Sequence, residues 1–196
     1  MKSVFRAALA CAALSFGLSH GPLAHADDDD DTALTNLIAL ASQRLALAEP
    51  VAHWKWVNHR PVSDTSREQA LLADMRKRGT AADLDLSFVQ AFFQDQIDAS
   101  KSVQSELFDA WKTAPPTGSA PDLVHSTRPQ FDRLDRQLIV GLVRVQPLRA
   151  SPDCPVLVAQ GIENWKQLTR YDDARTTALT QALEHVCESG GVGGTA

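Results

Sequence analysis

Thr32-Ala33-Leu34-Thr35-Asn36-Leu37-Ile38-Ala39-Leu40-Ala41-Ser42-Gln43-Arg44-Leu45-Ala46-Leu47-Ala48-Glu49-Pro50-Val51-Ala52-His53-Trp54-Lys55-Trp56 carries the fold in its spacing. Leu34, Leu37, Ile38, Ala41, Leu45, Ala48, Ala52 and Trp56 recur at steps of three and four, the period of a helix with one face against a core. The spacing predicts a long first helix over 32–59. Pro50 falls inside it, and a residue without an N–H should kink or interrupt the helix there. His59-Arg60-Pro61-Val62 then reads as a short link.

The same period continues along the chain. A second helix starts near Asp64 or Thr65, where Thr65-Ser66-Arg67-Glu68 has the form of a capping box, and Gly79 is its natural stop. A third runs from about Ser87 to Lys112 with Phe88, Phe92, Ile97, Val103, Leu107 and Trp111 among its apolar positions. Ala114 to Pro121 is a Pro/Gly/Ser linker. A fourth helix begins near Ser126, tolerates Pro129 in its first turn, and reaches Val145. Two shorter helices follow, near 155–166 and 171–187. No stretch alternates with period two, so the class is all-α: a single-domain bundle of about six helices over 32–188.

The two ends stand apart from that domain. Met1-Lys2-Ser3-Val4-Phe5-Arg6 is a short basic start, and Ala7 to Leu18 is a small-residue apolar core, too short for a stable membrane span. Ala24-His25-Ala26 fits small-x-small cleavage, so residues 1–26 read as a signal peptide cut after Ala26, with a membrane anchor as the alternative. The mature protein is then periplasmic or secreted, without membrane attachment. Asp27 to Asp31 repel one another and are expected to stay disordered, and 189–196 reads as a flexible tail.

Charge and cysteine content narrow the partners. Loss of Lys2 and Arg6 moves the formal charge from −5 to −7, of which the five aspartates carry −5. Bulk charge therefore excludes a nucleic-acid binder, and any anion site must gather its cations locally. Cys11 leaves with the signal peptide, so Cys154 and Cys187 remain as a disulfide candidate in an oxidising compartment. Two unpaired buried cysteines are the alternative, and no second ligand pair lies nearby to make a metal site.

Familiar catalytic signatures are absent: the sequence has no His-Glu-x-x-His, no Gly-rich phosphate loop and no Gly-x-Ser-x-Gly elbow. Three constellations remain. Arg44 and Lys55 are eleven residues apart, three turns plus about 20°, hence on one helix face with Cα atoms roughly 16 Å apart. They could grip two ends of a small dianion, or simply be surface charges. Asp64, Arg67 and Glu68 gather at the start of the second helix, where a well-capped terminus is the plainer reading. Ser100 and Gln104 form an i, i+4 pair of neutral donors in an apolar helix, where a satisfied buried polar pair or an exposed strip is the plainer reading.

Taken together they resemble the all-helical chorismate mutases, in particular their exported, disulfide-bearing subclass. The resemblance rests on Gln43-Arg44-Leu45, Glu49-Pro50-Val51-Ala52, Lys55-Trp56 and Arg60-Pro61-Val62-x-Asp64-x-x-Arg67-Glu68. Phe93-x-Asp95-Gln96-Ile97-x-Ala99-Ser100-x-x-x-Gln104 and Asp109-x-Trp111-Lys112 continue it, as does the Cys154/Cys187 spacing.

The resemblance implies a unimolecular rearrangement of chorismate to prephenate with no cofactor and no metal. Catalysis would come from holding the compact conformer and stabilising charge on the breaking ether. Arg44 and Arg67 would engage the carboxylate region, while Lys55 and Gln104 would meet the ether oxygen. Glu68, with Asp64 behind it, would hold the ring hydroxyl, and Ser100 would line the pocket. The subclass also draws an arginine from the fourth helix. Setting Phe131, Leu134, Leu138 and Ile139 on the core face puts Gln137 at that position, flanked by Arg133 and Arg136; Arg136 is the expected contributor. A homodimer with each site inside one chain is implied as well. The alternative from a different class is a secreted helical module that binds an aromatic acid without turnover.

Overall fold

The computed structural model describes residues 26–192, with side chains from Asp31 onward. The expected leader up to residue 25, with Cys11, and residues 193–196 of the expected tail lie outside that range. Every regular element within it is helical: α1 Ala26–Ala46, α2 Ala48–Val57, α3 Thr65–Ala81, α4 Leu86–Trp111, a π-helical turn Leu123–Thr127, α5 Arg128–Arg144, α6 Gln146–Arg149, α7 Cys154–Thr169 and α8 Asp173–Ala182. The fold is all-α, as the periodicity requires.

The count of helices rises above six because Pro50 divides the expected first helix in two and Pro147 opens a short extra helix just past the expected end of the fourth. Pro50 has no N–H for the Ala46 carbonyl, and its ring would press on that oxygen. The chain therefore ends α1 at Ala46, turns through Leu47, whose N–H reaches Arg44 O at 3.1 Å, and restarts α2 with Pro50 in its first turn. Pro147 stands in the same relation to Val143, and α5 gives way after Arg144 to the short α6.

Other boundaries also move. The helix α1 begins at Ala26 and so carries the Asp27–Asp31 run that was expected to be disordered; acidic residues suit the positive end of a helix dipole. Asp64, one residue before Thr65, is the N-cap of α3. Its carboxylate accepts the Arg67 N–H at 3.2 Å, while Glu68 Oε1 accepts the Asp64 N–H at 3.0 Å. The reciprocal box thus joins Asp64 and Glu68. Gly79 is not a stop, since α3 runs on to Ala81. It is a packing glycine: a Cβ there would come within 2.9 Å of Val89 Cγ2, across the α3–α4 contact.

The long helix α4 is the spine. It packs on α8, α3 and α2, while α1 lies against α5, α7 and α8. Between them sit Leu37, Ile38, Phe92, Phe93, Leu138, Leu142, Leu179 and Leu183, together with Met75, which is 1% exposed. Each fully buried phenylalanine or leucine contributes roughly 1.5–3 kcal/mol relative to exposure.

The C-terminal part is tied back to this spine. Cys154 and Cys187 form a disulfide with Cα atoms 5.8 Å apart. Gln96 Nε2 donates to Ala182 O at 2.6 Å, and Asp95 accepts the His185 N–H at 2.9 Å. Arg149 lays its guanidinium over the Phe88 ring, 3.4 Å from the centroid, and donates to Val186 O. The chain beyond 189 is not wholly free: Val192 is 7% exposed and belongs to the core.

Candidate active site

Four stretches that are distant in sequence surround a cavity of about 480 Å³. The break at Leu47 brings Arg44 from α1 and Lys55 from α2. The link and first turns of α3 bring Arg60, Val62, Asp64, Arg67, Glu68 and Leu71. The middle of α4 brings Ile97, Ser100, Lys101 and Gln104, and the π turn with α5 brings Leu123, Thr127, Arg128, Phe131 and Asp135. Six cationic side chains face three acidic ones, so the cavity suits a small anion carrying more than one charge.

Depth sorts these groups. Arg44, Ser100, Gln104, Thr127 and Asp135 are buried, Lys55 is half-buried, and Arg60, Arg67 and Arg128 are exposed at the mouth. On the floor, Arg44 Nε donates to Asp135 Oδ1 at 2.8 Å and Nη1 to Gln96 O at 3.3 Å, with the Phe131 ring 5.1 Å from Cζ. Lys55 Nζ donates to the Val62 carbonyl and to Gln104 Oε1, the latter at 2.9 Å. Gln104 Nε2 in turn donates to Ser100 Oγ at 3.0 Å. The Lys55 ammonium and the Gln104 amide therefore sit side by side at one wall.

Burial pulls the Lys55 ammonium below the ordinary lysine value of 10.5; Asp64 and Glu68 oppose that pull and Lys101 adds to it. Near the mouth, Lys101 Nζ lies 3.5 Å from Glu68 Oε2, leaving that carboxylate shared between the α3 cap and a lysine. Among the described residues no cluster of three His, Cys, Asp or Glu side chains could hold a metal ion. What the cavity offers is fixed hydrogen-bond donors and positive charge around a small polar molecule.

Residues 31–105 match the family model described as chorismate mutase type II. A secreted chorismate mutase of Mycolicibacterium smegmatis is 33% identical over 165 residues, covering 83% of this chain and 91% of that protein. The chain belongs to the chorismate mutase family. A secreted chorismate mutase of Mycobacterium tuberculosis is 28% identical over 172 residues, 86% of this chain and 84% of that one. The crystal structure of chorismate mutase from Burkholderia thailandensis superposes with a TM-score of 0.77 at 61% identity, covering 80% of this chain and 99% of its own. This mutase is an isomerase that converts chorismate to prephenate, and the binding-module alternative gives way to the enzyme.

Seven of the eight residues singled out from sequence as substrate contacts line the cavity of the mutase: Arg44, Lys55, Asp64, Arg67, Glu68, Ser100 and Gln104. Arg136 does not. It is exposed on the far side of α5, with Arg133 and Gln137, in a surface groove against α1. The arginine that α5 does present to the cavity is Arg128, at its first residue. The sequence reading put Phe131 on the core face, whereas the core face is Leu134, Leu138 and Leu142. Phe131 belongs instead to the stripe Arg128, Phe131, Asp135 that turns toward the cavity. A visible signal existed: Asp135 is a carboxylate amid apolar neighbours, and a buried carboxylate needs a cation such as Arg44 beside it.

Proposed function

We propose that the mutase accelerates the rearrangement by gripping the folded dianion between Arg44, Arg67 and Arg128 while Lys55 and Gln104 stabilise the ether oxygen. The carrying observation is the 2.9 Å contact of Lys55 Nζ with Gln104 Oε1 at one cavity wall. It brings a cation and an amide donor to one place, and negative charge develops on a single oxygen as the bond breaks. Donors fixed in a partly buried site act there without reorganisation. Arg44 and Arg67 then meet the carboxylate region, with Arg128 in the part assigned from sequence to Arg136. Glu68 and Asp64 hold the ring hydroxyl, and Ser100 keeps the Gln104 amide oriented.

The chemistry as read uses neither nucleophile nor proton relay, because bond making and bond breaking occur within one molecule. Binding the compact conformer removes an orientational cost that the free substrate must meet in water. Two further readings accompany this one. The protein is exported, with its signal peptide cut after Ala26; the mycobacterial relatives named as secreted support that, and no described helix is long and apolar enough to cross a membrane. It assembles as a homodimer whose sites each lie inside one chain.

The test is loss of chorismate absorbance with purified residues 27–196, beside Lys55→Ala. A fall in kcat on the order of 10²–10³ at an unchanged melting temperature is expected. A folded variant that keeps kcat within tenfold of the parent would remove Lys55 from the ether-oxygen role.

A further inference from the structure

We infer that Asp135 is a positioning residue for catalysis: its buried carboxylate holds the Arg44 guanidinium in the orientation that meets the substrate. The inference rests on the reading of Arg44 as a substrate contact.

The observation behind it is a charge where a charge should be unwelcome. The cavity has to admit a dianion, yet Asp135 lines it, with a side chain only 3% exposed. Its neighbours along α5, Leu134, Leu138 and Ile139, are all buried and apolar. Burying a carboxylate and a guanidinium together gains little over two apolar side chains of the same volume, because desolvation consumes most of the attraction. Stability alone therefore gives no reason for an Arg44–Asp135 pair at this depth.

Orientation does. A guanidinium has five N–H groups in a rigid plane, and its usefulness to a carboxylate depends on which edge is presented. Asp135 takes the Nε–H at 2.8 Å, the Gln96 carbonyl takes one Nη1 hydrogen at 3.3 Å, and the Phe131 ring lies 5.1 Å from Cζ. Three contacts from two helices fix the plane. Among the described residues the Nη2 hydrogens and one Nη1 hydrogen donate to no protein acceptor, and Arg44 lines the cavity, so we assign that free edge to the substrate. Asp135 is the only one of the three holders that carries charge. It comes from α5, the helix that also brings Arg128, so the α1–α5 packing and the setting of Arg44 are one arrangement.

Four variants test this: Arg44→Met, Asp135→Asn, Asp135→Glu and the double variant Arg44→Met/Asp135→Asn. Each is followed by kcat, KM and melting temperature. Asp135→Asn should lower kcat at least about tenfold while KM moves less than about threefold, since an arginine free to swing loses more in the transition state than in the ground state. Asp135→Glu, which restores the carboxylate, should recover most of that loss. The double variant should match Arg44→Met within about threefold, since Asp135 acts only through Arg44.

A folded Asp135→Asn variant within twofold of the parent overturns the inference, as does a double variant tenfold or more below Arg44→Met. Should Asp135→Asn fail to fold, Asp135→Ser, which leaves room for a water beside Arg44, takes its place with the same expected loss of kcat and the same overturning result. If Arg44→Met itself retains near-parental kcat/KM, the substrate-contact reading of Arg44 falls instead, and the inference with it.

Discussion

At Gln104 one atom decides how the enzyme responds to acid. An amide does not titrate, so a donor of this kind is ready at any pH that leaves the fold intact. Activity is expected to be flat between about pH 5 and 8, where neither a carboxylate nor a lysine of ordinary pKa changes state. Gln104→Glu should convert that plateau into a decline with rising pH, because a glutamate can donate only when protonated. Measuring kcat/KM across that range for both proteins checks it; a parental profile with a tenfold drop in the window would count against the amide's role. The alkaline side belongs to Lys55. Burial lowers its pKa from 10.5, so the charged form is lost earlier than for a free lysine. Activity that needs the ammonium is complete below that lowered pKa and lost as pH rises through it. The alkaline limb should therefore fall below 10.5, and Lys55→Arg should move it upward even if the rate itself drops. The cavity residues that were legible in the sequence are of this sort. Ser100 and Gln104 stand out because polar groups interrupt an apolar helical face, and Arg44 with Lys55 because a shared face survives the break at Leu47. Arg128 was not legible, since it follows a linker whose course no periodicity dictates and a π turn that shifts the register of what comes next.

At the scale of elements, helix existence could be read from spacing, whereas helix ends were set by single atoms. Pro50 and Pro147 cut where a carbonyl would lack its donor, and Gly79 belongs inside α3 because Val89 needs the space. The disulfide is the element-level feature with the clearest energetic consequence. It spans 33 residues and closes α7 and α8 into one loop, for which chain-entropy estimates give roughly 3–4 kcal/mol. Cys154→Ser/Cys187→Ser should then melt on the order of 10 °C lower. Its kcat should change less than about threefold below the melt, because no described residue after Asp135 lines the cavity. A large loss of kcat at full folding would mean that the hydrogen bond from Gln96 to Ala182 transmits the tie to Arg44, whose Nη1 rests on the Gln96 carbonyl.

For the molecule as a whole, the all-helical class follows from a repeating apolar period, while the family was legible only through the resemblance carried by the motifs around Arg44, Lys55, Arg67 and Gln104. The way the third dimension closes the cavity follows from neither. Four stretches of the chain meet around it, with the fourth wall contributed by the π turn and α5. On the proposal of a homodimer whose sites each lie inside one chain, specific activity should stay constant on dilution through the range in which sedimentation shows the dimer separating. A rate that falls with the dimer fraction would place part of the site at an interface.

Burial of Met75 and pairing of the two cysteines have a consequence for chemical durability. From residue 27 onward the sequence contains no other methionine and no other cysteine. In residues 27–196 peroxide therefore meets no free thiol to carry to sulfenic acid, and a single thioether, 1% exposed on the buried face of α3. Intact mass and turnover should both survive peroxide treatment of the folded enzyme, with the sixteen-dalton addition of a sulfoxide absent. Should that addition arise, it can form only when the core opens, and its rate would then count the openings.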